Sequence, residues 1–154
     1  AFDQPLITKT RLGTARSVYP RFSNRFAHLL SETVEEIYGQ GKTLQQLICA
    51  ETCSKKTRES LVVHIYGFGP KQASLFLRRI GYCTDLAVLD THVLDYIKLV
   101  RGCSFKTNRL GHISFYEQIE SIFREIASNF GYSIGCVDLA TWLTMRVAKR
   151  EGYI

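Results

Sequence analysis

The sequence predicts an all-α domain of about seven helices, and three observations carry that expectation. Apolar residues recur at helical spacing along almost the whole chain, no sustained period-two run interrupts them, and glycine or proline stands where the periodic stretches stop. At 154 residues and 45% hydrophobic content, the size is that of one domain that buries a single core without staples.

The first helix carries Phe26, Leu29, Leu30, Val34 and Ile37 behind a candidate cap at Ser23, and Gly39 and Gly41 stop it. Thr43 with Gln46 makes a capping box ahead of Leu44, Leu47 and Ile48. A third helix is predicted from about Lys56 through Leu61, Val62 and Ile65 to Gly67. Pro70 suits the first position of a fourth, in which Ala73, Phe76, Leu77 and Ile80 fall on one face before Gly81. Asp90 caps a fifth helix with Val93, Leu94 and Ile97. Ser114 with Glu117 caps a sixth, which carries Phe115, Ile119, Ile122, Phe123 and Ile126 and ends at Gly131. The seventh includes Val137, Trp142, Leu143 and Val147.

A formal charge of +6 and a pI near 9.2 point to a polyanionic partner. The chain has no apolar run long enough for a membrane span and no signal-peptide order at its start, so it reads as soluble and intracellular. Its five cysteines are scattered, which fits reduced thiols. Cys49 and Cys53 have the wrong spacing for a zinc knuckle and no Cys or His partners nearby, so no metal is expected there.

Chemistry concentrates at Ile65-Tyr66-Gly67-Phe68-Gly69-Pro70-Lys71, where two glycines frame one apolar residue between two helices. Both glycines permit positive φ and close backbone approach, so that successive N–H groups and the next helix N-terminus can face a phosphate without reading a base. Lys71 then falls in the first turn of a helix, where the macrodipole disfavours a cation; that field and a partly apolar pocket favour the neutral amine needed to attack carbon. The plainer reading is a lysine that meets phosphate. Asp90 follows nineteen residues later and opens the next helix. As an N-cap it is worth about 1 kcal/mol, and capping also immobilises a carboxylate that could stabilise positive charge developing at a deoxyribose C1′.

Together the hairpin, Lys71 and Asp90 resemble the helix-hairpin-helix DNA glycosylase superfamily. Within it, the run from Arg58 to Tyr82 is similar to the smaller archaeal and bacterial type of 8-oxoguanine DNA glycosylase/AP lyase. The likeness continues through Leu86 to Leu94 and Gly131 to Trp142, and more loosely at Tyr19-Pro20. It implies one helical glycosylase domain over 1–154, with the hairpin motif at about 56–81 and the catalytic loop and helix at about 82–100. Lys71 matches the amine that attacks C1′ and forms the Schiff base, and Asp90 matches the catalytic aspartate. Gly67, Phe68 and Gly69 match the DNA-binding hairpin, and His92 a position that approaches phosphate. Leu75, Asp138 and Trp142 fall where the base pocket forms: an aromatic face can stack on an extruded base, and a carboxylate can accept from the N7–H that 8-oxoguanine has and guanine lacks.

The implied partner is duplex DNA with a damaged base, held through phosphate contacts that include Arg78, Arg79 and Lys106. No organic cofactor is implied, although hairpin carbonyls can hold a monovalent cation, and the absence of a four-cysteine cluster sets aside an iron–sulfur centre. Two departures loosen the base assignment: Leu75 stands where the family carries histidine, and the chain ends Arg150-Glu151-Gly152-Tyr153-Ile154 where the family ends in lysine. The same chemistry on another oxidised or modified base is one alternative, and a noncatalytic hairpin module that docks DNA is another. The family also has helices before the Tyr19-Pro20 segment, whereas this chain begins at Ala1, and Ala1 to Ile7 are too few to replace them. The expectation is that a preceding segment, a partner chain or self-association covers apolar surface around Phe123, Ile126, Trp142 and Val147.

Overall fold

The structure is a computed structural model that describes residues 6–9, 13–18 and 23–153. Seven α-helices form where the periodicity places them: α1 (Ser23–Tyr38), α2 (Leu44–Cys49), α3 (Ser54–His64), α4 (Pro70–Arg79), α5 (Thr91–Arg101), α6 (Ile113–Ser128) and α7 (Ile134–Arg150). A short strand pair lies outside the sequence expectation. Strands β1 (Leu6–Lys9) and β2 (Ala15–Val18) pair antiparallel, with Leu6 opposite Val18. Four residues per strand are too few for a sustained alternation to register in the sequence. The Tyr19-Pro20 segment, Ala1 to Pro5 and Ile154 lie outside the described residues.

Local chemistry sets most helix ends. Thr43 and Gln46 form the predicted box, the Thr43 N–H donating to Gln46 Oε1 at 2.8 Å and the Gln46 N–H to Thr43 Oγ1 at 3.2 Å. Asp90 Oδ1 accepts from the N–H groups of His92 and Val93 at 2.9 and 3.0 Å, which opens α5 as expected. Helix α1 opens at Ser23 itself. Helix α6 departs from expectation: it starts at Ile113 with His112 in the cap position, so Ser114 lies inside the helix and the Ser114/Glu117 box does not form. Glu117 is drawn instead to the Arg58 guanidinium at 2.8 Å, a charge-assisted bond stronger than a backbone cap.

Two apolar clusters form the interior. Leu61, Ala73, Leu77 and Leu86 centre one on α3 and α4, with α2 packed against it. The other joins α5, α6 and α7 through Val93, Ile97, Ile119, Phe123, Ile126 and Val137. Phe123 and Ile126 are therefore core residues, which corrects the expectation that they would be exposed: α6 turns them onto α5 and α7. The outward apolar stripe of α7 is Leu139, Leu143 and Val147, each about half exposed. On α1 the apolar stripe is wider than its contact, so Ile37 is buried while Phe26, Leu30, Val34 and Tyr38 face outward.

Candidate active site

The hairpin between α3 and α4 is fixed from beneath by α1. Thr33 Oγ1 donates to Leu29 O and accepts the Tyr66 N–H at 3.0 Å. Gly67 adopts φ +84°, a conformation that favours glycine; a Cβ there would lie 2.8 Å from Leu29 Cδ1, a side-chain end that can move aside. Gly69 does not share that property. Its φ is −100°, so it serves as the extended N-cap of α4 and not as a left-handed turn residue. The Phe68 ring turns inward to meet Phe76 edge to face at 6.0 Å, anchoring the hairpin. Tyr66, Phe68 and Gly69 commit their N–H groups to Thr33, Ile65 and Gln72, whereas those of Gly67, Lys71 and Gln72 carry no hydrogen bond among the described residues. Three donors at a helix N-terminus thus remain for an anion. The carbonyls of Tyr66, Gly67 and Phe68 likewise accept no hydrogen bond among the described residues, and such oxygens are the donor type that suits a monovalent cation.

Lys71 is exposed in the first turn of α4. Asp90 reaches the same place from a buried loop. Leu86, Ala87 and Leu89 are almost wholly inaccessible, yet the loop is neither helix nor strand, so its peptide groups need partners from elsewhere. Side chains of α6 and α7 supply them. Glu120 Oε1 accepts the Ala87 N–H at 2.8 Å, Asp138 Oδ2 the Val88 N–H at 3.3 Å and Tyr116 Oη the Leu89 N–H at 2.9 Å, while the Tyr116 hydroxyl donates to Ala87 O at 2.9 Å. Burial pushes the Tyr116 phenol up to about 12, which keeps it a donor at neutral pH.

A fully buried Arg58 ties this loop to the lysine helix. Its Nη1 donates to Glu120 Oε1 at 2.8 Å and to Ser74 Oγ of α4 at 3.2 Å, and its Nη2 donates to Glu117 and to Glu120 Oε2. Burial works to lower the Arg58 pKa, but the hydrogen bonds and charge of Glu120, with Glu117, hold it above its ordinary value. One guanidinium therefore joins α3, α4 and α6.

Lys71 and Asp90 meet at a cavity of about 300 Å³, walled by Leu75, Arg78 and Arg79 of α4, Val88 of the loop, and Asp138, Leu139 and Trp142 of α7. The predicted nucleophile, carboxylate and base-pocket residues thus share one cavity. Arg78 is not a free phosphate contact: it pairs with Asp138 Oδ2 and donates to Gly135 O at 2.6 Å, whereas Arg79 is exposed at the cavity rim. Among the described residues, no hydrogen bond reaches Asp138 Oδ1. Trp142 lies under the Arg146 guanidinium at 4.9 Å, leaving at most one face for stacking. His92 meets the edge of Trp142 with centroids 6.1 Å apart, and its buried Nδ1 has no hydrogen-bond partner among the described residues. Lys106 is exposed in the α5–α6 connection and does not line the cavity.

An amine, a carboxylate held through one oxygen, an apolar wall and an aromatic ring suit nucleophilic substitution at a sugar carbon beside a flat heterocycle. Sequence reasoning missed Arg58, Tyr116 and Glu120, and Gly135, whose added Cβ would lie 2.7 Å from Thr84 O. Their partners lie far away in the chain, so no local pattern announces them.

Comparison with known proteins fits this geometry. The family described as 8-oxoguanine DNA glycosylase matches residues 7–132, a span that includes Lys71 and Asp90 and stops short of Asp138 and Trp142. The 8-oxoguanine DNA glycosylase/AP lyase of Saccharolobus solfataricus is 34% identical over 122 residues, covering 79% of this chain and 58% of the relative. That of Sulfolobus acidocaldarius is 37% identical over 120 residues, covering 77% and 55%. The crystal structure of the 8-oxoguanine DNA glycosylase of Thermotoga maritima superposes with a TM-score of 0.58 at 31% identity, over 79% of this chain and 55% of that one. The chain thus spans little more than half the length of these relatives. Among the described residues, no helix is long and apolar enough to cross a membrane.

Proposed function

The chain belongs to the 8-oxoguanine DNA glycosylase family, and from that membership we propose that it excises 8-oxoguanine from duplex DNA and then cleaves the strand as an AP lyase. The observation that carries the proposal is the placement of Lys71 and Asp90 on one cavity with Leu75, Asp138 and Trp142. The damaged nucleotide flips out of the duplex into that cavity. Lys71 Nζ adds through its lone pair to C1′ as the C1′–N9 bond breaks, and the electron pair of that bond leaves with the base, which takes up a proton from the attacking nitrogen. Asp90 stabilises the positive charge that develops at C1′ through its carboxylate. Ring opening and loss of the nitrogen's protons give an imine, after which loss of a C2′ proton expels the 3′ phosphate by β-elimination.

Asp138 Oδ1 is the acceptor for the N7–H of the oxidised base, and Arg78 and the Val88 N–H hold the carboxylate in place through the other oxygen. The N–H groups of Gly67, Lys71 and Gln72 take backbone phosphate, aided by Arg79 and by the positive charge of the whole chain. His92 borders the site, and its approach to phosphate belongs to the same proposal. The reaction needs no organic cofactor, and a monovalent cation at the hairpin carbonyls would stiffen the phosphate-binding turn. Such an enzyme works wherever the cell keeps its DNA. The outward stripes of α1 and α7 support a further segment of chain or a partner packed against them.

A second reading keeps the chemistry and changes the base, and the observation behind it is Leu75, an apolar side chain on the cavity wall. A noncatalytic hairpin module would have no use for the Lys71 and Asp90 pair. Borohydride treatment of the protein with 8-oxoguanine or abasic duplex tests the proposal: a covalent complex should form, and Lys71→Gln should bind damaged DNA without being trapped. Trapping of Lys71→Gln at the wild-type level would remove Lys71 as nucleophile. Faster excision of uracil or alkylated purines under single turnover would move the base assignment and leave the reaction class standing.

A further inference from the structure

Resting on the function proposed above, we infer that Tyr116 is a positioning residue for base excision, acting through Asp90 without touching DNA. The loop before Asp90 has one backbone hydrogen bond of its own, from the Asp90 N–H to Val88 O at 2.7 Å, which closes a three-residue turn centred on Leu89. The rest of its shape comes from side chains, and among the described residues Tyr116 is the only one that grips it at two points, Ala87 O and the Leu89 N–H, on either side of the residue whose carbonyl closes that turn. The phenol is fully buried and does not line the cavity, so it cannot reach substrate. Glu120, one helical turn further along α6, holds the Ala87 N–H and is itself locked by Arg58, which fixes the frame in which Tyr116 works. Asp90 is the next residue after the gripped stretch and the first cap of α5. The position of its carboxylate is therefore set by two rigid supports, the α5 N-terminus on one side and the Tyr116 hydroxyl on the other.

Removing the hydroxyl while keeping the ring should loosen one support and leave the other. The test is a double-mutant cycle of Tyr116→Phe with Asp90→Asn, read by single-turnover excision of 8-oxoguanine and, separately, by borohydride trapping on preformed abasic duplex, where the base has already left. Tyr116→Phe should slow excision by roughly 10- to 100-fold, the scale of a small misplacement of a catalytic group. It should change excision by less than about 3-fold in the Asp90→Asn background, because the group it positions has lost its charge. Trapping by Lys71 on abasic DNA should stay near the wild-type level. Equal losses in both backgrounds, trapping that falls in step with excision, or a fully active Tyr116→Phe would each overturn the inference. If Tyr116→Phe does not fold, 3,5-difluorotyrosine at position 116 gives the same cycle, since it keeps the ring and the hydroxyl and weakens the hydroxyl as acceptor for the Leu89 N–H. A wild-type protein that neither excises nor traps would instead defeat the proposed function, and this inference with it.

Discussion

Asp90 caps α5, and under the proposed function its carboxylate also stabilises charge at C1′; substitution can separate the two. Only Oδ1 caps α5, at 2.9 and 3.0 Å from the His92 and Val93 N–H groups, and the side chain also borders the cavity. Asparagine keeps an oxygen for both capping bonds and loses the charge. Asp90→Asn should therefore lose only the favourable term between a carboxylate and the α5 macrodipole, about 0.3–1 kcal/mol. For a domain of this size that lowers Tm by roughly 1–4 °C. Asp90→Ala loses the capping bonds as well, a further ~1 kcal/mol, and should melt several degrees lower still. Excision should respond in another order. Both variants lack the charge facing C1′, so single-turnover base removal should fall by roughly 100- to 1,000-fold in each, the scale of losing one preorganised electrostatic group. Calorimetry gives the first comparison and rapid-quench excision the second. An Asp90→Asn protein that excises at the wild-type rate would refute the electrostatic role, and one that melts as low as Asp90→Ala would refute the account of the cap.

Arg58→Met should destabilise the fold by about 3–5 kcal/mol, on the order of 10 °C in Tm, because Glu120 is left buried without a counter-charge while Glu117, a quarter exposed, can turn to water. A loss below ~1 kcal/mol in chemical denaturation would show that the Arg58 network is not a structural hub. Cys83 should be the slow thiol of the chain: burial and the neighbouring Asp85 push it up to about 11, so near pH 8 its thiolate fraction is roughly 100-fold below that of an unshifted thiol. Iodoacetamide mapping should label the exposed Cys49, Cys53 and Cys136 first, and labelling of Cys83 at their rate would contradict that environment.

The helices, and the two residues Lys71 and Asp90 that share the cavity, were legible from the sequence because their signals are local. Helical periodicity, the Thr43/Gln46 box, Pro70 after Gly69 and the cap at Asp90 each depend on residues within a turn or two of one another, and such neighbours are adjacent in space wherever the chain goes. Local signals also misled. Ser114 and Glu117 have capping-box spacing, but a charged partner 59 residues away in the chain outweighed the cap. Arg78 reads as a basic surface residue after the hairpin, yet Asp138 of α7 claims it. Gly67 and Gly69 look alike as turn glycines, yet in the folded hairpin Gly67 takes positive φ while Gly69, directly before Pro70, is extended and caps α4.

By itself, then, the sequence determined the helical class and the hairpin and nominated the candidate amine and carboxylate, since propensity, capping and family likeness act through neighbouring residues. The tertiary structure alone decided how that carboxylate is held, because Ala87, Val88 and Leu89 lie on a buried loop whose N–H groups must find acceptors, and Glu120, Asp138 and Tyr116 come from helices distant in the chain.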